Sequence, residues 1–224
     1  MDVQTALSIL DDVTLKQGKG AALASMTARC IRAEGKTGIL TDPAVLDVIS
    51  SVRLQVDCGY DRMPKNDGVL TLFVDGSCTR NGQVGAKAGF GVYIVKDGVE
   101  LLRFKQRLDA EEAQTNQRGE LRGLAYALNY LAESGQKGTI YTDSKYAIDC
   151  LKVWAGNWVL NEWKKADKKP VLHTDILKPM YELWLHLTLC GKVELHHVQA
   201  HTNRSDFISR GNAVADELAN AAAT

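Results

Sequence analysis

The chain has 224 residues, 45% of them hydrophobic, and its 27 basic residues are cancelled by 27 acidic ones. That is room for one large domain or a domain with an appendage, and it leaves nucleic-acid binding open, because a basic face matters more than a basic total. The five cysteines are odd in number and none forms a C-x-x-C pair, which argues against a disulfide framework or a structural zinc site and for reduced thiols.

The N-terminus lacks a basic region followed by a long apolar run, and Asp2, Asp11 and Asp12 oppose a transit peptide. No stretch is apolar enough to span a membrane, and even Leu183 to Leu189 is interrupted by His186. A cytoplasmic protein without a signal peptide is expected. Apolar spacing predicts helices over Thr5 to Val13 and Ala21 to Ala33, and a third after Asp42-Pro43, an N-cap followed by Pro at the first helical position. Residues 1–61 therefore read as a small helical appendage. Its charges are nearly balanced, which suits packing or contact with a protein partner. The polar stretch Asp61-Arg62-Met63-Pro64-Lys65-Asn66-Asp67-Gly68 contains the linker, 62–68.

From residue 69 to 224 the pattern is that of a second, larger domain. Val69 to Val74 is a β-branched and aromatic run that ends at Asp75, where Gly76 lets the chain turn. Gly85 to Val95 and Glu100 to Leu108 read as strands joined by the Asp97-Gly98 turn. Thr115 to Glu133 is a helix with Leu121, Leu124, Leu128 and Leu131 on one side. A strand over Gly138 to Thr142 and a helix over Ser144 to Val153 follow, then helical signals from Ile176 to Leu189. Lys192 to Val198 reads as the last strand and Gly211 to Ala223 as the last helix. The order predicts an α/β fold, a mixed sheet with helices on both faces.

Four acidic residues stand out because a carboxylate at a strand end or on an apolar helix face is costly unless neutralised. Asp75 and Asp143 each end a predicted strand, Glu120 lies on the leucine stripe, and Asp216 shares a helix face with Asn212. Each has a plain structural reading: a strand-ending Asp, a Glu reaching to solvent, a helix cap, and a first-turn acid near the helix dipole. Together they make a carboxylate cluster of the kind that cradles Mg²⁺ for phosphoryl chemistry.

The segments around them, Val74-Asp75-Gly76-Ser77-Cys78, Gln114-Thr115-Asn116-Gln117-Arg118-Gly119-Glu120, Tyr141-Thr142-Asp143-Ser144-Lys145-Tyr146 and Gly211-Asn212-Ala213-Val214-Ala215-Asp216-Glu217-Leu218-Ala219, match in order the motifs of type 1 ribonuclease H. From about Val69 onward the chain resembles that family. The resemblance implies a five-stranded ribonuclease H-like sheet and an endonuclease that hydrolyses the RNA strand of RNA/DNA hybrids, leaving 5′-phosphate and 3′-hydroxyl ends. Asp75, Glu120, Asp143 and Asp216 would bind two Mg²⁺ ions, with Mn²⁺ as a substitute, and His201, preferred over His196 and His197, would assist proton transfer. Cys78 (through its backbone), Asn81, Asn116 and Gln117 would read the RNA strand. Thr115, Tyr146, Trp158, Trp163, Lys164 and Lys165 would line the DNA strand, with Trp154 left to the core. Two departures, Ala113 where relatives often carry Arg and His173 near a position often occupied by Asn, point to an altered DNA-phosphate pocket. The loop 201–210 also differs from the usual glycine-containing version. The expected partner is the hybrid, bound by a monomer with no membrane role. Two other readings are a hybrid-binding module with a dead site and a DNA-processing member of the fold; the four carboxylates oppose the first, and Asn81, Asn116 and Gln117 oppose the second.

Overall fold

A computed structural model of the protein describes residues 69–200 and 205–224. The expected appendage over 1–61, the linker over 62–68 and His201 lie outside the described residues. Asp67–Tyr181 and Val193–Thr224 belong to one compact unit, while Glu182–Lys192 fall in another. The carboxylates all belong to the first.

Strands β1 (Leu70–Thr79), β2 (Lys87–Lys96), β3 (Val99–Arg107), β4 (Gly138–Thr142) and β5 (Val193–His197) form one sheet in the order β3-β2-β1-β4-β5. The first three pair antiparallel, and β4 joins β1 and β5 in parallel. The β2–β3 hairpin turns on Asp97 and Gly98, both at positive φ (51° and 80°), as a two-residue turn matched to strand twist requires.

The expectation that β1 ends at Asp75 is corrected. The strand runs on to Thr79 because its antiparallel ladder with β2 continues through Asp75↔Gly91 to Thr79↔Lys87. What ends near Asp75 is the parallel ladder, whose last pair is Phe73↔Tyr141. Asp75 therefore stands where β1 loses its β4 neighbour, inside a strand and beside an opening in the sheet. Gly76 makes no turn there. Its role is close approach: an added Cβ would lie 2.0 Å from the Glu120 backbone nitrogen.

The helices are α1 (Asn116–Ser134), α2 (Lys145–Asp149), α3 (Ala155–Leu160), α4 (Thr174–Leu189) and α5 (Phe207–Ala223), with a π-helical turn at Cys150–Trp154 between α2 and α3. Thr115 caps α1 by accepting from the Arg118 N–H, and Gly135 closes it at φ 66°, both standard end chemistry. Leu121, Leu124, Leu128 and Leu131 are fully buried, each worth about 2 kcal/mol of apolar burial.

Successive residues of a strand face opposite sides of the sheet, and the glycines show which helix each side meets. Gly76 of β1 meets α1, whereas a Cβ on Gly89 or Gly91 of β2 would strike Ala222 or Ala215 of α5. Helices α1 and α5 thus cover opposite faces, as expected. The last helix begins a turn earlier than expected, capped by Asp206. Gly211 lies inside it because the Phe73 ring leaves no room for a Cβ there.

Candidate active site

Asp75 is only 6% exposed. Its Oδ1 accepts from the Gly76 N–H at 2.8 Å. Because β1 side chains alternate, Asp75 faces α5, the helix that carries Asp216. Burial pushes its carboxyl up to about 8, and the charges of Asp143, Asp216 and Glu120 add to the rise against the opposing Gly76 hydrogen bond. The four carboxylates singled out in the sequence therefore act on one another around a single buried group.

Each of the other three has a neutral side-chain donor. Glu120 takes two: Asn116 Nδ2 donates to Oε1 at 2.8 Å, and Ser144 Oγ donates to Oε2 at 2.5 Å. Burial raises its pKa, the Ser144 bond opposes the rise, and Asp143 adds to it. Asp143 receives Asn212 Nδ2 at 3.3 Å, and Asp216 receives Asn220 Nδ2 at 3.0 Å. Two plain readings from the sequence fall here. The cap of α2 is Ser144, whose hydroxyl accepts from the Ala147 N–H at 3.1 Å, so Asp143 does not cap it. Asp216 stands mid-helix, away from the first turn of α5.

Among the described residues, no ion pair joins any of the four to Lys or Arg. Hard oxygen donors carrying uncompensated charge fit a divalent cation such as Mg²⁺. Among the described residues, no three acidic, His or Cys side chains are already closed up as a cage. The fit therefore rests on donor chemistry and charge.

The expected RNA-reading side chains gather at the start of α1. Asn81 Oδ1 accepts from the Asn116 N–H at 3.3 Å, and Gln117 is exposed beside them. Cys78 Sγ donates to the Gln114 carbonyl at 3.3 Å, and Gln114 Oε1 accepts from the Ala88 N–H at 2.7 Å. This end of α1 is anchored by Arg118, which is buried although charged. Arg118 donates to Glu112 Oε2 at 2.6 Å and to both oxygens of Asp175, and its Nη1 lies 3.4 Å from His173 Nδ1. Arg122 donates to the same Glu112 oxygen. Burial lowers the His173 pKa and the Arg118 charge lowers it further, which favours the neutral ring, whose Nδ1 accepts from Arg118. Ala113 is exposed nearby in sequence, and Thr115 is engaged as the α1 cap.

The aromatic residues form a row. Ring centroids are 6.0 Å apart for Tyr146–Trp154, 5.7 Å for Trp154–Trp158 and 6.3 Å for Trp158–Trp163, and Lys178 Nζ sits 5.8 Å from the Trp163 ring. Trp154 is partly exposed in the middle of that row, which corrects its assignment to the core: the π-helical turn rotates the chain at this point. Lys165 is exposed, and Lys164 is exposed but pairs with Glu162 at 2.7 Å.

Sequence reasoning missed Ser144, Asn220 and Ser77 as partners of the site. His197, set aside in the sequence in favour of His201, donates from Nε2 to the Asp143 carbonyl at 3.1 Å. His196 instead stacks on Tyr141 at 5.6 Å.

Residues 67–224 match the family model for RNase H. A ribonuclease H of Francisella philomiragia is 35% identical over 158 residues, covering 70% of this chain and 92% of that protein. A probable ribonuclease H of Acanthamoeba polyphaga mimivirus is 33% identical over 147 residues, covering 64% of this chain and 61% of its own. The chain thus spans under two thirds of the viral relative. The solution structure of the PFV RNase H domain superimposes with a TM-score of 0.57 at 21% identity, over 70% of this chain and 94% of that one.

Proposed function

The chain belongs to the ribonuclease H family and is a nuclease, and from that premise we propose that it cuts the RNA strand of RNA/DNA hybrids endonucleolytically, leaving 5′-phosphate and 3′-hydroxyl ends. The observation that carries this reading is Asp75, its pKa raised by burial and then by the charges of three other carboxylates, with no cationic partner among the described residues.

The family generally uses divalent metal ions. Asp75, Glu120, Asp143 and Asp216 would hold two Mg²⁺ ions, with Mn²⁺ able to replace them. When bound, these ions supply Lewis-acid activation of water and neutralise charge at the leaving 3′-oxygen. The chain's own residues do the rest. Asp75 must release its proton before the site takes up a cation. Ser144 and Asn116 hold both oxygens of Glu120 in place, so the carboxylate is ordered before substrate arrives. His201 carries a proton to or from the reacting water or the leaving oxygen, a task suited to imidazole near neutral pH.

Asn81, Asn116, Gln117 and the Cys78 backbone contact the RNA strand, where the 2′-hydroxyl distinguishes it from DNA. Tyr146, Trp158 and Trp163 offer stacking surfaces to the DNA strand, and Thr115, Lys164 and Lys165 contact its phosphates.

The test is cleavage of an end-labelled RNA/DNA hybrid in Mg²⁺ by the wild type and by Asp75→Asn, with single-stranded RNA and duplex DNA in parallel. Hybrid-only cleavage, reduced by at least about a hundredfold in the variant, is expected. A well-folded wild type that leaves the hybrid intact in both Mg²⁺ and Mn²⁺ would refute the reading.

A further inference from the structure

Two residues outside the family motifs' acidic set connect β1 to the helix that carries Asp216. Ser77 Oγ donates to Asn220 Oδ1 at 2.5 Å, and Asn220 Nδ2 donates to Asp216 Oδ1 at 3.0 Å. The amide uses both its ends in one direction, accepting from the strand and donating to the carboxylate.

This relay has a geometric logic. Asp75 and Ser77 are two apart on β1 and face the same side of the sheet. Asp216 and Asn220 are four apart on α5 and share one helix face. Strand and helix therefore meet in two successive rungs. The rung Asp75–Asp216 sets two like charges on facing elements, which by itself favours parting α5 from β1. The rung Ser77–Asn220, one helical turn on, draws the two elements together. Gly89 and Gly91 let α5 approach the sheet closely enough for both rungs to form.

The chemistry of the donor matters as well. A Lys or Arg reaching Asp216 would cancel its charge and compete with a cation. An amide orients the carboxylate and leaves its charge intact.

We propose that Ser77 and Asn220 are positioning residues that hold Asp216 against Asp75 and thereby set the affinity of the carboxylate site for divalent cations. This rests on the reading of the site as metal-dependent.

The test is Mn²⁺ binding to the metal-free full-length protein, followed by electron paramagnetic resonance, beside the Mg²⁺ dependence of hybrid cleavage. Asn220→Ala and Ser77→Ala should each weaken Mn²⁺ binding about fivefold, the scale of one hydrogen bond. The double variant should be no weaker than either single one, because both break the same relay. Ser77→Thr keeps the hydroxyl and should retain wild-type binding. Saturating Mg²⁺ should restore most of kcat. Asn220 is exposed on a helix where Ala is well tolerated, so folding is not at risk, and thermal unfolding checks it.

Wild-type binding and cleavage with unchanged affinity in both single variants would overturn this inference alone. Additive losses in the double variant, or a kcat defect that saturating Mg²⁺ leaves in place, would overturn it too. A wild type that neither binds Mn²⁺ nor cleaves hybrid would overturn the metal-dependent reading together with this inference.

Discussion

In the folded protein Asp75 keeps its proton up to about pH 8, against an ordinary value of 3.8. Between those values the native state binds a proton that the unfolded chain has released. Stability of the metal-free protein should therefore fall as pH rises from about 4 to about 8, by up to about 1.4 kcal/mol per unit from this group. Asn keeps the shape and cannot ionise. Asp75→Asn is thus expected to flatten the fall and to be the more stable protein at pH 8, read by thermal unfolding in chelator across that range. Equal slopes for the two proteins would contradict the assignment. The four carboxylates were legible in the sequence because each sits in its own local motif. Their partners were not. Ser144 reaches Glu120 across 24 positions and Ser77 reaches Asn220 across 143, and no local pattern reports such contacts. Helical spacing offers Asp216 an amide on either side, Asn212 or Asn220. Only packing decides that Asn220 takes it while Asn212 turns to Asp143. Among the described residues, Asn212 Oδ1 is buried without a partner.

Elements were legible where a periodic stripe or turn dipeptide marks them, as in α1 and the β2–β3 hairpin. They were misjudged where pairing overrides local composition. Asp75-Gly76-Ser77 has the composition of a strand end, yet β1 continues because β2 supplies a ladder beyond it. The helix expected over Ser144 to Val153 is interrupted by a π-helical turn and resumes to Leu160. Such turns leave little trace in apolar spacing. The contact between β1 and α1 makes a further prediction. A Cβ on Gly76 would stand 2.0 Å from the Glu120 nitrogen and 2.4 Å from the Gly119 carbonyl carbon. Both are backbone atoms and cannot rotate aside, so strand and helix must separate. Gly76→Ala is expected to cost about 3 kcal/mol or more and to weaken cleavage further by moving Glu120 from Asp75. Urea unfolding and the hybrid assay measure the two effects, and a variant of wild-type stability would show that the sheet and helix can part freely.

Over the whole molecule, the alternation of strands and helices was sufficient to predict the mixed sheet, and the structure adds its order and the break in the β1–β4 ladder where the site lies. Each described carboxylate and each of its donors lies beyond Asp67. A chain beginning at Asp67 is accordingly expected to keep metal-dependent hybrid cleavage, checked by the end-labelled assay with circular dichroism alongside. A soluble, folded and wholly inactive truncated protein would contradict it. The glycine contact that joins β1 to α1 also bears on mechanics. Hydrostatic pressure acts on a fold through its internal voids, and a junction where a Cβ would stand 2.0 Å from a backbone nitrogen has no room for one. The junction between Gly76 and Glu120 should therefore be among the least compressible parts of the fold, so that Asp75 and Glu120 keep their separation under pressure.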